Sequence, residues 1–154
     1  MRLKLTLEYD GVGFHGWAAQ PGLRTIEGEV RAALDRVFPS WSELGVAGRT
    51  DTGVHATGQV VSVEVDRGPP PERAAGALNA ELPDDVAVLS AEAAPPDFHA
   101  RHSAVARPSW VASTHGENEP VHCSKISIRC TATRPGPGGG RCRSKLWCRR
   151  EPWG

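Results

Sequence analysis

The run Ala47-Gly48-Arg49-Thr50-Asp51-Thr52-Gly53-Val54-His55-Ala56-Thr57-Gly58-Gln59 sets a carboxylate, a guanidinium and an imidazole among three glycines. Glycines let a backbone approach a ligand closely and accept positive φ. Arg49 stands two residues before Asp51 and can pair with that carboxylate, holding it in its charged form. A charged, positioned carboxylate can serve as nucleophile or as general base. Taken alone, Asp51-Thr52-Gly53 also reads as an ordinary turn, and a single His55 reads equally as a packed or solvated histidine.

Two further stretches carry side chains of interest. Tyr9 to Pro21 (Tyr-Asp-Gly-Val-Gly-Phe-His-Gly-Trp-Ala-Ala-Gln-Pro) interleaves aromatic residues with Gly and His. Its rings can stack on bases or plug the end of the core. Asp97 to Arg107 gathers Phe98, His99, Arg101, His102 and Arg107. That basic group can meet phosphates or form a solvated charged face.

The elements that must position these residues follow from periodicity. Leu3, Leu5 and Leu7 alternate with Arg2, Lys4, Thr6 and Glu8, the pattern of a half-buried strand. Residues 9–23 form a Gly-rich loop. Thr25 can cap a helix whose apolar face is Ile26, Val30, Ala33, Leu34, Val37 and Phe38, and Pro39 ends it. Val46-Ala47 finishes a short strand before the Gly48–Gly58 loop, and Gln59 to Val65 is a β-branched strand. Pro69-Pro70-Pro71 leads into a helix over about residues 71–80, with Ala74, Ala75, Ala77 and Leu78 inward. Val86 to Leu89 is a further strand. The order β-α-β-β-α-β predicts an α+β layer, two helices on an antiparallel sheet with ferredoxin-like topology.

The 154 residues carry 18 Lys/Arg and 18 Asp/Glu, a balance that argues against an obviously basic nucleic-acid binder. The balance conceals a split. Residues 1–107 have 10 Lys/Arg against 15 Asp/Glu, whereas residues 108–154 have 8 against 3 and hold all four cysteines. Leu, Ile, Val and Phe make 25 of the first 107 residues and 5 of the last 47. So apolar-poor a tail cannot offset its own ordering entropy. The expected organisation is a folded domain over 1–107 and a largely disordered Gly/Pro/Arg/Cys-rich tail over 108–154. No run of 18 apolar residues is present, so no membrane-spanning helix is expected. The start lacks a signal-peptide centre, and the expected location is cytoplasmic.

Together, in this order and spacing, the stretches resemble the tRNA pseudouridine synthase A family. The resemblance is carried by Tyr9-Asp10-Gly11-x-x-Phe14-x-Gly16-Trp17, by Ala47 to Gln59, by Ala77-Leu78-Asn79-x-x-Leu82-Pro83-x-Asp85, and by Phe98-His99-Ala100-Arg101-x-Ser103-Ala104. It implies the N-terminal half of a pseudouridine synthase fold. It makes Asp51 the catalytic aspartate and Arg49 the arginine beside it, seating a flipped nucleotide. Substrate-binding positions by the same resemblance are Thr50, Gly53, His55, Phe14, Trp17, His99 and Arg101. The implied reaction isomerises uridine to pseudouridine in the anticodon stem-loop of tRNA, with no metal, redox or nucleotide cofactor. The implied assembly is a homodimer with tRNA across both subunits.

The pattern departs after Arg107. Where the family continues as a Tyr-rich strand, this chain reads Pro108-Ser109-Trp110-Val111, and its only tyrosine is Tyr9. Pro108 also removes a strand donor. The reading that follows is a truncated chain with an out-of-frame tail and low or no activity, its dimer surface largely beyond the match. The alternative is a non-catalytic RNA-binding fragment using the basic tail. A zinc module is a remoter rival, since Cys123, Cys130, Cys142 and Cys148 include no C-x-x-C pair.

Overall fold

In the computed structural model, residues 1–106, 109–113, 122–127 and 129–130 are described, with side chains through Ala104. In chain order the elements are β1 (Arg2–Tyr9), a 3-10 turn (Gly11–Gly13), α1 (Ile26–Val37), β2 (Ser40–Val46), β3 (His55–Arg67), α2 (Pro71–Glu81) and β4 (Val86–Ala93). Short strands β5 (Ala104–Ala106), β6 (Ser109–Ser113), β7 (His122–Ser127) and β8 (Arg129–Cys130) follow.

The alternation in β1 has its expected consequence. Leu3, Leu5 and Leu7 are fully buried, and β1 pairs antiparallel with β3 (Leu5 opposite Val61) and with β4 (Leu5 opposite Ala91). With β2 antiparallel on β3, the order β4-β1-β3-β2 is the ferredoxin-like arrangement. One sheet face, through Leu3, Leu5, Leu7, Val61, Val63 and Val65, packs on both helices. From α1 it receives Ile26, Val30, Ala33 and Leu34, and from α2 Ala74 and Leu78.

Local signals fix the helices. Thr25 is the N-cap of α1, its hydroxyl accepting the Gly28 N–H at 3.3 Å. Glu27 and Glu29 lie at the positive end of the helix and Arg36 at the negative end. In α2, Asn79 works as a piece of strand. Its amide nitrogen donates to the Val88 carbonyl at 2.9 Å, and its carbonyl accepts the Val88 N–H at 2.7 Å. The β1–β4 register slips there, from Thr6 opposite Ser90 to Leu7 opposite Val88. Asn79 therefore satisfies the backbone at a bulge that would otherwise leave those groups unpaired.

Strand β3 exceeds the expected Gln59–Val65 at both ends. Its outer edge is shared: β2 reaches only to Val46 opposite Val61, and β7 lies parallel along His55–Gly58, with β6 beyond it. Within the segment expected to be largely disordered, Ser109–Ser113, His122–Ser127 and Arg129–Cys130 are strands. An uncovered strand edge offers unpaired N–H and C=O groups, which recruit another strand. Strands β5 and β8 make a separate two-stranded sheet. The other tail residues lie outside the described ones. Among the described residues, no helix is long and apolar enough to cross a membrane.

Candidate active site

The loop between β2 and β3 is the Ala47–Val54 segment singled out by its chemistry. It is anchored at its start, where the Ala47 N–H donates to the Val60 carbonyl at 2.9 Å. It is anchored in its middle by Thr50, only 5% exposed. The Thr50 hydroxyl lies 2.8 Å from the Tyr9 hydroxyl, and its carbonyl accepts the Trp17 N–H at 2.9 Å. It closes in a turn, with the Val54 N–H donating to the Asp51 carbonyl at 3.2 Å. Gly53 occupies the third turn position with φ +77°, which glycine adopts without strain. Asp51 therefore sits, exposed, at the start of a turn whose preceding residue is locked into the protein.

The Tyr9–Trp17 loop supplies most of that anchorage by close backbone approach. Gly16, at φ +85°, would bring a Cβ to 2.8 Å from the Thr50 carbonyl oxygen. Gly11 lies against the Val54 carbonyl so closely that a Cβ would overlap it. The Gly53 N–H donates to the Phe14 carbonyl at 3.3 Å. His55 Nδ1 lies 3.3 Å from the Gly11 N–H and 3.1 Å from Asp10 Oδ1. One nitrogen cannot accept from the first and donate to the second at once, so the two contacts are alternatives set by where the imidazole proton sits.

The loop is itself clasped to the sheet. Arg24 donates a two-pronged fork to Asp85, at 2.7 and 3.0 Å, and its guanidinium lies 4.2 Å from the centre of the Phe14 ring. The Asp10 N–H donates to the Asp85 carbonyl at 2.9 Å. Asp85 belongs to the third matched motif, and this clasp gives it a physical role.

The stretch around Phe98 lies on the sheet face opposite the helices. Phe98 and Ala100 pack with Ala47 and Val60, and the Ala100 N–H donates to the Ser62 hydroxyl at 3.2 Å. The Tyr9–Trp17 loop thus meets the Asp51 loop through the Thr50 anchor, and the Phe98 stretch meets it beneath Ala47.

The expected contact residues differ in exposure. Phe14 and Trp17 are each 1% exposed and pack in the main core, the core plug of the two readings open for that loop. Thr50 is buried, and its side chain holds the loop. Arg49 and Asp51 are both exposed on either side of Thr50, but among the described residues they make no ion pair with each other. Anchoring Thr50 inward fixes its neighbours outward without bringing their charged ends together. His55 is half-buried and engaged as described. His99 is half-buried too, its Nδ1 accepting the Arg101 N–H at 3.2 Å and its ring 4.7 Å from that of His102. Arg101 is exposed. Among the described residues, no group of three or more His, Cys, Asp or Glu could hold a metal ion. The tail cysteines lie outside the described side chains.

The polar groups of Gln59 and Tyr9 have no role assigned by the sequence. Gln59 is fully buried, and its amide donates to the Gly48 carbonyl at 2.6 Å and to the Tyr9 hydroxyl at 3.2 Å. Tyr9 is 2% exposed. The available signal is a polar group on each of two core strands, at the end of β1 and inside β3, within a matched motif. Burial raises the Tyr9 pKa above its ordinary 10.0, against the opposing effect of its hydrogen bonds with Thr50 and Gln59. The folded state therefore holds the phenol proton more tightly than the unfolded chain does. This contribution is complete below pH 10.0 and is lost as pH rises through the higher folded value. Chemical denaturation at several alkaline pH values should show stability falling above that point, with a shallower fall in Tyr9→Phe.

The α+β layer thus displays one exposed carboxylate, that of Asp51, on a braced, glycine-rich loop. Residues 6–103 match the family model described as tRNA pseudouridine synthase, and the chain belongs to that family. It is similar to the tRNA pseudouridine synthase A of Bacillus subtilis strain 168, 50% identical over 107 residues that cover 68% of this chain and 43% of that protein. The tRNA pseudouridine synthase A of Thermosynechococcus vestitus is 48% identical over 106 residues, 69% of this chain and 37% of that protein. That of Cereibacter sphaeroides strain ATCC 17025 is 50% identical over 107 residues, 69% and 42%. The chain therefore spans about two fifths of the length of these curated relatives.

Proposed function

We propose that this chain carries the aspartate-bearing half of a centre that isomerises uridine to pseudouridine in tRNA, at the anticodon stem-loop, with Asp51 as the catalytic carboxylate. One observation supports the reading above others: Asp51 is exposed at the start of a turn whose preceding residue is anchored by hydroxyl, carbonyl and close backbone packing. In the reaction the bond from ribose C1′ to uracil N1 breaks, the base turns, and C1′ bonds to C5. The C5 proton is then lost and N1 regains one. Cleavage leaves C1′ electron-poor, and a carboxylate beside it stabilises or traps that carbon, or removes a ribose proton. Arg49 and Arg101, both exposed, suit phosphate contacts that seat the flipped nucleotide. No step calls for a cofactor.

Turnover by the chain alone is low in this reading, because the Tyr-rich strand that follows the family's fourth motif is replaced after Arg107. The test is pseudouridine mapping on unmodified tRNA incubated with the protein. Slow conversion that falls by roughly 1,000-fold or more in Asp51→Ala supports the assignment. Conversion that persists undiminished in that variant removes Asp51 from the chemistry. If tRNA is bound but never converted, and binding is indifferent to Asp51→Ala, the chain is a non-catalytic RNA-binding fragment.

A further inference from the structure

Thr50 is the buried neighbour of Asp51, and its hydroxyl ends a chain of hydrogen bonds that starts at Gln59. The Gly48 carbonyl can only accept, so the Gln59 atom 2.6 Å from it is the amide nitrogen. That nitrogen has two hydrogens. One goes to Gly48 and the other to the Tyr9 hydroxyl at 3.2 Å. The Tyr9 hydroxyl, having accepted from Gln59, lies 2.8 Å from the Thr50 hydroxyl, and either of the two can be the donor in that pair. Both hydrogens of the Gln59 amide nitrogen are thus committed, and the chain leads from the strand interior to the residue before Asp51.

We propose that Tyr9 and Gln59 are positioning residues for Asp51, acting through Thr50 to fix where its carboxylate is held. This rests on the reading of Asp51 as the catalytic carboxylate.

The cost of the arrangement argues that it is not there for stability alone. Gln59 is fully buried, and its carbonyl oxygen has no hydrogen-bond partner among the described residues. A half-satisfied polar group in a core is more costly than an apolar residue of similar size. Leu or Val at 59, Phe at 9 and Val at 50 would fill the same space without that cost. A hydrogen-bond chain supplies what those residues cannot, a single orientation for the Thr50 side chain and hence for the start of the Asp51 turn. The Thr50 carbonyl, fixed by the Trp17 N–H at 2.9 Å, holds the same residue from its other side.

The readout must separate a held carboxylate from a merely stable core, and it needs no turnover. Amide hydrogen exchange and the carbon-detected chemical shift of the Asp51 carboxyl group at one fixed pH are measured in the full chain, in Tyr9→Phe, and in the pair Thr50→Val and Thr50→Ser. In Tyr9→Phe and Thr50→Val, exchange at Trp17 and Val54, whose N–H groups bond to Thr50 and Asp51, should quicken about tenfold. The Phe38 amide, bonded to Leu34 at the end of α1, should keep its rate. The Asp51 carboxyl signal should move in both variants. Thr50→Ser keeps the hydroxyl and should restore both readouts. The proposal is overturned if the loop amides and the Asp51 carboxyl signal are unmoved, if Phe38 quickens equally, or if Thr50→Ser behaves as Thr50→Val does. Should Tyr9→Phe fail to fold, the two Thr50 variants decide the matter alone. Because none of these measurements depends on conversion, their failure is distinct from failure of Asp51→Ala in the tRNA assay.

Discussion

Gly11→Ala is expected to destabilise the protein by about 3 kcal/mol, the upper range for forcing an extra carbon into packed structure. The reason is contact rather than backbone angle, since Gly11 is not among the positive-φ glycines. A Cβ there would overlap the carbonyl of Val54 and lie 2.9 Å from its nitrogen. These are backbone atoms of the Asp51 turn and cannot swing aside as a side-chain tip would. The turn is bonded to Asp51 within itself and to Phe14 through Gly53, so relief on one side strains the other. Gly76 is the matched control: it lies within α2, and a Cβ there meets nothing within 4 Å. Gly76→Ala should stabilise by roughly 0.5–1 kcal/mol through helix propensity. Urea denaturation of the two variants checks the pair. If Gly11→Ala is as stable as the parent, the early loop does not brace the Asp51 turn as described.

The sequence made the helices and the inner strands legible because their determinants are local. Leu3, Leu5 and Leu7 mark one face of β1 by alternation alone, and Thr25 with Pro39 brackets α1. Strand β2 was legible only at its end. Its register on β3 breaks between Ser42 and Gly45, and Glu43 has φ +51°, so no alternation survives in the sequence. The N-terminal part of β3 contains His55 and Gly58, poor strand formers, and is extended because β1 and β7 pair with it. Pairing of that kind overrides propensity. At the site, Asp51 stood out because a motif carried it, and the turn at Gly53 followed from glycine's freedom. What stayed hidden was which way each side chain in the early loop faces. A Gly-rich aromatic loop has the same composition whether its rings stack on a ligand or plug a core. The contacts that decide it, Gly11 on Val54 and Gly16 on Thr50, join residues far apart in the chain. The roles of Tyr9 and Gln59 are hidden for a related reason, since a polar residue on a strand gives no local sign that its partner lies on the neighbouring strand.

That distinction separates two variants that a motif alone would treat alike. Trp17→Ala should cost about 3–5 kcal/mol, the range for truncating a large buried aromatic. Trp17 is 1% exposed, and its ring centre lies 6.1 Å from that of Tyr9 in the main core. Arg49→Ala should change stability by no more than about 0.5 kcal/mol, since the side chain is exposed and bears no ion pair among the described residues. Their effects on tRNA should run the other way at a temperature where both are folded. Arg49→Ala should weaken binding and reduce its dependence on salt, as loss of one phosphate contact does. Trp17→Phe should recover much of the lost stability by refilling the core, and should bind tRNA as the parent does. Thermal melts and binding titrations at two salt concentrations test both sides. A Trp17→Ala protein that melts with the parent but loses tRNA would place the indole on the substrate and overturn its role as a core plug. Loss of stability with binding retained after Trp17→Phe would show instead that the early loop serves Asp51 from behind, by packing.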